Sequence, residues 1–421
     1  MTPDPVKYSI ITFGCRVNQA DSLAIARDLH ARGAVEATPQ DAELVIVNTC
    51  SVTAAADQGV RQTVRRVVRD NPDVRVVVTG CYATRRPDEI RELPNILHVL
   101  PNDEKDDLVE RIALGIGLPR LEDLTTAARY GNGDGPCGDT LSPGAAGRTA
   151  LTLRVQTGCD ETCSYCIIPT TRGKGRSRPL ASVVRQIEDA VASGYREIAI
   201  AGVHLGSYGR DLADGTSLTT LVRTLAEWDA DVLFRISSLE PMDCTPAIAD
   251  LVASSPRLAP HFHLPLQHGS NEILRAMRRP YTVEAYATLV MSIRARIPHA
   301  SIGSDVIVGF PGESSTHFSD TETVLRELPL THLHVFPYSD RPGTDASLLG
   351  GRADGAVIRE RGRRVREIGH EMASRFRDSQ RGTTRRALTV DDGSSAVTDN
   401  YLKVKLDQRH SRNEWIDVKV D

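Results

Sequence analysis

The sequence has few aromatic residues and no long apolar run, and each shortage argues against a class of protein. Aromatic residues make up only 5% of the 421 residues, which leaves no obvious aromatic patch for a protein partner. No apolar stretch reaches membrane-spanning length, and the start, MTPDPVKYSIITFGC, lacks the charged flank and long apolar run of a secretory signal. The sequence therefore predicts a cytoplasmic protein with no membrane partner.

An excess of charge of one sign is also lacking. The formal net charge is −4, so the chain as a whole is not an electrostatic nucleic-acid binder, and any such site has to be a local patch. The apolar content of 40% is enough to build real cores. A chain of 421 residues is long for one core and predicts two or three domains.

The first part of the chain alternates strand and helix patterns. The buried-strand runs YSIITFG (8–14), AELVIVNT (42–49) and VRVVVTG (74–80) are separated by helical patterns at 20–33 and 57–72. This βαβαβ order predicts an α/β domain with a flavodoxin- or Rossmann-like parallel sheet over residues 1–124. The Gly-rich dinucleotide fingerprint is missing, so nucleotide binding there is unsupported.

Residues 125–149 are rich in Gly, Pro, Ser and Thr and are predicted to be a linker. A second strand–helix series follows over 150–380 and ends in a long basic helix. Six βα units are too few for a closed eightfold barrel and predict a partial one. Residues 381–421 predict a small all-β module. The six barrel strands are predicted at 151–157, 197–203, 233–239, 261–267, 301–310 and 332–338.

The run VQTGCDETCSYCIIP places Cys159, Cys163 and Cys166 in a C-x3-C-x2-C spacing. In a reducing compartment, eight cysteines favour metal or catalytic roles over a disulfide framework. Iron–sulfur clusters are usually held by four thiolates, so three would leave one iron open for chemistry. The alternatives are buried thiols or a zinc site, but no second close pair of ligands follows.

Three further cysteines, Cys15, Cys50 and Cys81, each come just after a predicted strand. The carboxyl ends of parallel strands meet at one edge of a sheet, where ligand sites lie, so we expect these thiols to converge. Taken singly, each could be a small buried hydrophobe. Cys137 and Cys244 share no pattern and are interpreted as structural or incidental.

With these patterns, essentially the whole chain resembles the radical S-adenosylmethionine (SAM) methylthiotransferases. The resemblance includes the small β tail, which is similar to a TRAM domain. The segment GVHLGSYGRDL (202–212) resembles the branch that modifies N6-threonylcarbamoyladenosine in tRNA. The matching stretches are FGCRVNQADS (13–22), NTCSVT (48–53), TGCYA (79–83), CSYCIIP (163–169), GKGRSRP (173–179), HLPLQHGS (263–270), DVIVGFPGE (305–313) and HVFPYSDRPGT (334–344).

The resemblance implies two [4Fe–4S] clusters and SAM as cofactors. The C-x3-C-x2-C cluster would bind SAM and start radical attack on carbon 2 of the adenine ring, because an inert C–H bond lies beyond acid–base chemistry. The cluster on Cys15, Cys50 and Cys81 would supply sulfur, which a second SAM methylates. The SAM-contact candidates, each with an ordinary packing, loop or turn role as its alternative, are Tyr165, Ser238, Glu240, Gln267 and Gly309.

The partner that the resemblance implies is the anticodon loop of tRNA, together with an electron donor and a sulfur donor. Nothing in the sequence demands a dimer, so a monomer is predicted. A stretch from 162 to 187 without acidic residues supports an RNA contact, although a solvated face is the alternative and Arg176 or Arg178 could instead bind the SAM carboxylate. The RNA-binding candidates are Arg172, Lys174, Arg176 and Arg178, with Tyr401 and Trp415 of the β tail for base stacking.

Three other functions stay open from the sequence. Two are methylthiotransferases, for isopentenyladenosine in tRNA or for an aspartate of a ribosomal protein. The third is a non-catalytic iron–sulfur or zinc RNA-binding protein, which an iron and zinc assay would distinguish.

Overall fold

The computed structural model describes residues 5–119, 143 and 149–421, so Cys137 and most of the predicted linker lie outside the described residues. The chain divides into two compact units. The first contains the described residues before 147, with Gly158–Asp160 and Ile167–Lys174. The second contains the described residues of 147–157, Glu161–Cys166 and Gly175–Asp421. The domain boundaries given by the sequence stay predictions.

The first unit is built on a five-stranded sheet with the order β2-β1-β3-β4-β5, and all of its neighbouring strands are parallel. Its central strands are apolar and fully buried because helices cover both faces. The strands are β1 Lys7–Thr12, β2 Val35–Glu36, β3 Leu44–Thr49, β4 Arg75–Gly80 and β5 Ile96–Leu100. The helices are α1 Arg16–Ala31, α2 Ala54–Asp70, α3 Cys81–Arg85, α4 Pro87–Arg91, α5 Leu108–Ile116 and α6 Ile168–Arg172.

The second unit contains six parallel strands in two sheets, ordered β10-β9-β6 and β11-β12-β13, and a short antiparallel pair of strands, β7 and β8. Its strands are β6 Leu151–Arg154, β7 Gln156–Thr157, β8 Arg176–Ser177, β9 Glu197–Ala201, β10 Leu233–Ile236, β11 His261–His263, β12 Ser301–Val308 and β13 His332–Pro337. Its helices are α7 Leu180–Ala192, α8 Leu218–Ala226, α9 Pro246–Ser254, α10 Asn271–Ala276, α11 Val283–Arg296, α12 Ser315–Glu327 and α13 Gly355–Gln380.

The two faces of the β11–β13 sheet differ sharply. Phe262, Ile302 and Val306 point to one side and join the large apolar core beneath the helices. Residues one position away point to the opposite side, because side chains alternate along a strand. That side carries histidines and an aspartate along most of its length, with Ile307 farther along β12.

The C-terminal residues form a four-stranded antiparallel sheet with the order β16-β15-β14-β17. Its strands are β14 Thr384–Val390, β15 Ser395–Thr398, β16 Lys403–Lys405 and β17 Trp415–Lys419. The predicted fold class, with a parallel first sheet, a six-stranded parallel second series and a β tail, is confirmed. Among the described helices, none combines the length and the apolarity needed to cross a bilayer.

Candidate functional site

Three cysteines of the first unit lie where its parallel strands end. Cys15 caps α1, Cys50 directly follows β3, and Cys81 opens α3 at the end of β4. Burial raises the pKa of the Cys50 thiol to about 11, and the nearby charges of Cys81 and Cys15 act in the same direction. The structure therefore brings the three thiols within electrostatic reach of one another. We call this group the sheet cysteine site.

A glycine leaves room for these thiols. Gly14 has a φ of +93°, and a Cβ atom built on it would lie 2.7 Å from Sγ of Cys50. Only glycine adopts this backbone readily and also leaves room for the Cys50 side chain. Three converging thiols are a donor set that an iron–sulfur cluster takes, and Cys15, Cys50 and Cys81 stay the predicted ligands of one.

Arg172 reaches the sheet cysteine site from α6 of the same unit, a position that the sequence did not reveal. Its guanidinium is 3.3 Å from Asp21 Oδ2, which also receives Lys105 Nζ at 3.0 Å. Burial lowers the pKa of Arg172, but the charges of Asp21, Cys81 and Cys15 raise it above the ordinary value. Asn102 Nδ2 lies 3.5 Å from Cys81 Sγ. The site therefore has a fixed cation beside its sulfur atoms.

Cys163 and Cys166 belong to the second unit, where the amide of Cys166 donates to the carbonyl of Cys163 at 3.1 Å. Arg279 donates from Nη1 to Cys163 Sγ at 3.1 Å and forms an ion pair with Glu240. The Arg279 side chain is only 2% exposed. Sequence reasoning selected Glu240 but missed Arg279, and the only signal for it was the basic run RRPY at 278–281.

Two tyrosines lie around this arginine. The Tyr281 hydroxyl donates to the Pro265 carbonyl at 2.8 Å, and the Arg279 guanidinium lies 5.0 Å from the Tyr281 ring centre. Burial raises the pKa of Tyr165 well above its ordinary value, with Arg279 lowering it and Cys163 raising it. Cys163, Tyr165, Glu240 and Arg279 therefore form one cluster, which we call the arginine cluster.

Cys159 has a different local setting, because it groups with the first unit. Its amide donates to the carbonyl of Gly173 at 3.0 Å. The preceding Gly158 has a φ of +74°, and a Cβ there would lie 1.9 Å from the Lys174 carbonyl oxygen. A glycine is therefore required just before the first cysteine of the C-x3-C-x2-C run.

The remaining SAM candidates occupy the carboxyl side of their strands. Ser238 is exposed just after β10. Gln267 has a φ of +69°, and its amide donates to the Asp305 carbonyl at 2.8 Å. Gly309 has a φ of +79°, and a Cβ there would lie 2.5 Å from Ile358. The structure thus gives Gly309 a packing role, and the SAM contacts of all three residues stay predictions.

The RNA-binding candidates differ in exposure. Lys174 and Arg176 are exposed, whereas Arg178 is half-buried and donates to Gln186 Oε1 at 2.7 Å. Arg172 is buried at the sheet cysteine site, so we assign it to that site and remove it from the RNA candidates.

The two aromatic candidates of the β tail are both stacked by arginines. The Arg235 guanidinium lies 4.9 Å from the Tyr401 ring centre, and His261 is 4.7 Å from the same ring. The Arg386 guanidinium lies 4.0 Å from the Trp415 ring centre. Tyr401 is 40% exposed, and Trp415 is half-buried. Base stacking by either ring stays a prediction.

The segment GVHLGSYGRDL is anchored on one carboxylate. His204 Nε2 and Arg210 Nη2 each lie 2.8 Å from an oxygen of Asp243. Asp243 also leaves no room for a side chain at Gly206, because a Cβ there would lie 2.0 Å from Asp243 Oδ2. Burial raises the pKa of Glu240, and nearby charges also act on it: that of His204 lowers the pKa and that of Asp243 raises it, so this segment lies beside the arginine cluster.

Comparison with solved structures identifies the fold. The radical SAM methyltransferase TsrM from Kitasatospora setae, solved with its tryptophan substrate and a SAM analogue, matches with a TM-score of 0.53. The match covers 78% of this chain and 72% of that one at 17% sequence identity.

Family models and sequence relatives carry the comparison further. Residues 7–100 match the uncharacterized protein family UPF0004, and residues 153–325 match the radical SAM superfamily. The threonylcarbamoyladenosine tRNA methylthiotransferase MtaB of Aquifex aeolicus is 35% identical, with 95% of this chain and 96% of that protein covered. The tRNA-2-methylthio-N(6)-dimethylallyladenosine synthase of Mycobacterium leprae is 32% identical, covering 87% and 72%. The chain therefore belongs to the radical SAM tRNA methylthiotransferase family.

Proposed function

We propose that this enzyme methylthiolates carbon 2 of N6-threonylcarbamoyladenosine next to the tRNA anticodon. The observation that carries the proposal is the near full-length similarity to a relative named for that substrate. The segment GVHLGSYGRDL supports the same branch, and His204, Gly206 and Arg210 of this segment hold a defined arrangement around Asp243.

The residues present fit the cofactors of this family. Cys159, Cys163 and Cys166 would hold one [4Fe–4S] cluster, and the sheet cysteine site would hold the other. When bound, the clusters and SAM supply the radical that removes hydrogen from carbon 2, and the sulfur and methyl group that replace it.

The chain's own contribution at the arginine cluster is positioning. Arg279 fixes Cys163 through an N–H···S hydrogen bond and is itself held by Glu240. Burial raises the pKa of Glu240, while Arg279 lowers it. The half-buried rings of Tyr165 and Tyr281 restrict water around this pair, which strengthens its electrostatic attraction.

At the sheet cysteine site, the chain supplies a fixed positive charge. Arg172 and Lys105 both pair with Asp21, and burial lowers the pKa of Lys105. Burial also lowers the pKa of Arg172, but the charges of Asp21, Cys81 and Cys15 raise it above its ordinary value, so the guanidinium stays charged beside the thiolates. A cation stabilises thiolate over thiol, which is the form that binds iron. Arg172 is therefore proposed as a positioning residue for the second cluster.

The partners complete the proposal. The tRNA anticodon loop would approach through exposed basic residues such as Lys174 and Arg176, since phosphate contacts supply most of the affinity. An electron donor and a sulfur donor are required by the chemistry, and we propose a monomer acting in the cytoplasm.

The experiment is nucleoside mass spectrometry of total tRNA from cells with and without the gene. Deletion should remove 2-methylthio-N6-threonylcarbamoyladenosine, and the wild-type gene should restore it where Cys163→Ala does not. Loss of the isopentenyl counterpart instead would show that the substrate is the one for which the relative from Mycobacterium leprae is named. An unchanged tRNA would overturn both assignments and turn attention to the ribosomal-protein aspartate.

A further inference from the structure

The polar face of the β11–β13 sheet holds a cluster that neither cysteine site uses. His263 ends β11, Asp305 lies in the middle of β12, and His334 pairs with Asp305 across to β13. Parallel register places these three side chains on one face, because His263 is opposite Gly303, two residues before Asp305. The sheet itself therefore fixes their spacing.

The two imidazole nitrogens of this cluster converge on one carboxylate oxygen. His263 Nε2 lies 2.8 Å and His334 Nδ1 lies 3.1 Å from the same atom, Asp305 Oδ1. All three ligand atoms lie within 4.8 Å of one another. Two imidazoles and one carboxylate are ligands that first-row divalent ions prefer.

The surroundings shape this cluster. The His332 ring lies 5.9 Å from the rings of both His263 and His334. Its place depends on Gly303, where a Cβ would lie 2.0 Å from His332 Nε2. A cleft of about 500 Å³ runs beside β13 and α13, and His334 lines it together with Phe336, Arg366 and His370. The cluster is thus walled on one side and reachable from solvent on another.

From this geometry we propose that His263, Asp305 and His334 bind a divalent transition-metal ion such as Zn²⁺, separate from the iron–sulfur clusters. Three protein ligands leave at least one coordination position for an oxygen ligand, the arrangement of sites that act on a bound group rather than only stabilise the fold. The inference rests on these side chains and does not depend on which nucleoside is the substrate.

The test is metal binding by the cluster-reconstituted enzyme. The protein is dialysed anaerobically against Zn²⁺ in excess, and zinc and iron are measured separately by mass spectrometry. Wild type should retain one zinc per chain that Asp305→Asn loses, with unchanged iron. The matched control is Glu272→Gln. Glu272 pairs with a single histidine, His317, at 3.2 Å, so this variant also removes a carboxylate beside an imidazole. It should bind as much zinc as wild type.

A second variant separates ligand loss from misfolding. His334 has a side chain that is 58% exposed, so His334→Ala should leave the melting temperature unchanged. It should still weaken zinc binding by at least about tenfold, because one of the three direct metal ligands is removed. Equal zinc in wild type, Asp305→Asn and His334→Ala, or none in any of them, would overturn the proposal and leave a hydrogen-bonded His–Asp–His cluster.

Discussion

The sheet cysteine site and the arginine cluster place sulfur ligands by opposite means. Cys15, Cys50 and Cys81 lie far apart in the sequence and meet because three parallel strands end at one edge. Cys163 and Cys166 lie on one short loop, so local spacing places them. In both sites an arginine from elsewhere in the same unit approaches the cysteines, Arg172 in one and Arg279 in the other. Cysteines can therefore be brought together by their spacing along the chain or by strand topology, whereas in both sites the cation is brought in by tertiary structure.

The largest expected effect separates the roles of the two cysteine sets. Cys163→Ala should reduce SAM cleavage to the background of the assay and so abolish transfer. Cys50→Ala should retain SAM cleavage and lose only methylthio transfer, because it leaves the proposed ligands of the SAM-binding cluster, Cys159, Cys163 and Cys166, unchanged. The measurements are 5′-deoxyadenosine release and methylthiolated nucleoside from one reaction. Methylthio transfer by Cys50→Ala would contradict the role of the sheet cysteine site.

The next effect compares the two arginines. Arg279→Gln removes the ion-pair partner of Glu240, whose side chain is mostly buried. The variant should therefore lower the free energy of unfolding by about 2–3 kcal/mol. Arg172→Gln should cost about 1 kcal/mol, because Lys105 still pairs with Asp21 at 3.0 Å. Arg279→Gln should lower SAM cleavage about 10–100-fold, whereas Arg172→Gln should spare cleavage and lower transfer by a similar factor.

Chemical denaturation and the two product assays measure this difference, with Arg279→Lys and Arg172→Lys as charge-preserving controls that should recover part of each loss. If both glutamine variants impaired SAM cleavage equally, the assignment of Arg172 to the second cluster would fail.

A smaller effect compares two glycines. Gly14→Ala meets both a positive φ and the sulfur of Cys50, whereas Gly173→Ala meets a positive φ of +71° but open space. The backbone alone should cost about 1–2 kcal/mol in either variant. Only Gly14→Ala should also lose iron, falling from about eight per chain toward four as the second [4Fe–4S] cluster is lost. Iron analysis after reconstitution would show full occupancy in both variants if Gly14 did not shape the site.

The last comparison is a pH effect and concerns Cys244, which belongs to neither site. Burial raises the pKa of its thiol to about 12, with Asp243 acting in the same direction. Its neutral form therefore stabilises the fold below pH 9, and this stabilisation is lost as the pH rises from about 9 toward 12, because the unfolded thiol ionises first. Cys244→Ala should lack this decline in melting temperature relative to wild type.

Thiol labelling checks the same residue. At pH 8 the cluster-free protein should label quickly at the exposed Cys15 and only after unfolding at Cys244. Rapid labelling of Cys244 in the folded protein would contradict its burial.

Much of the fold followed from patterns in the sequence. Continuous apolar β-branched runs gave the central strands β3 and β4, because parallel strands buried on both faces need them. The predicted strands 233–239 and 261–267 were too long: β10 ends at Ile236 and β11 at His263. Their last residues instead form loops, and these loops carry Glu240 and Gln267 toward the site.

The sequence by itself determined the cysteine positions and the family resemblance, because spacing and strand order are written along the chain. Only the tertiary structure decided that Arg279, 116 positions from Cys163, donates to that sulfur. Likewise, only the fold buries Arg172 and joins His263 and His334 to Asp305. The physical reason is that a buried charge or ligand needs a partner within about 3–4 Å, and folding brings such partners together regardless of their separation in sequence.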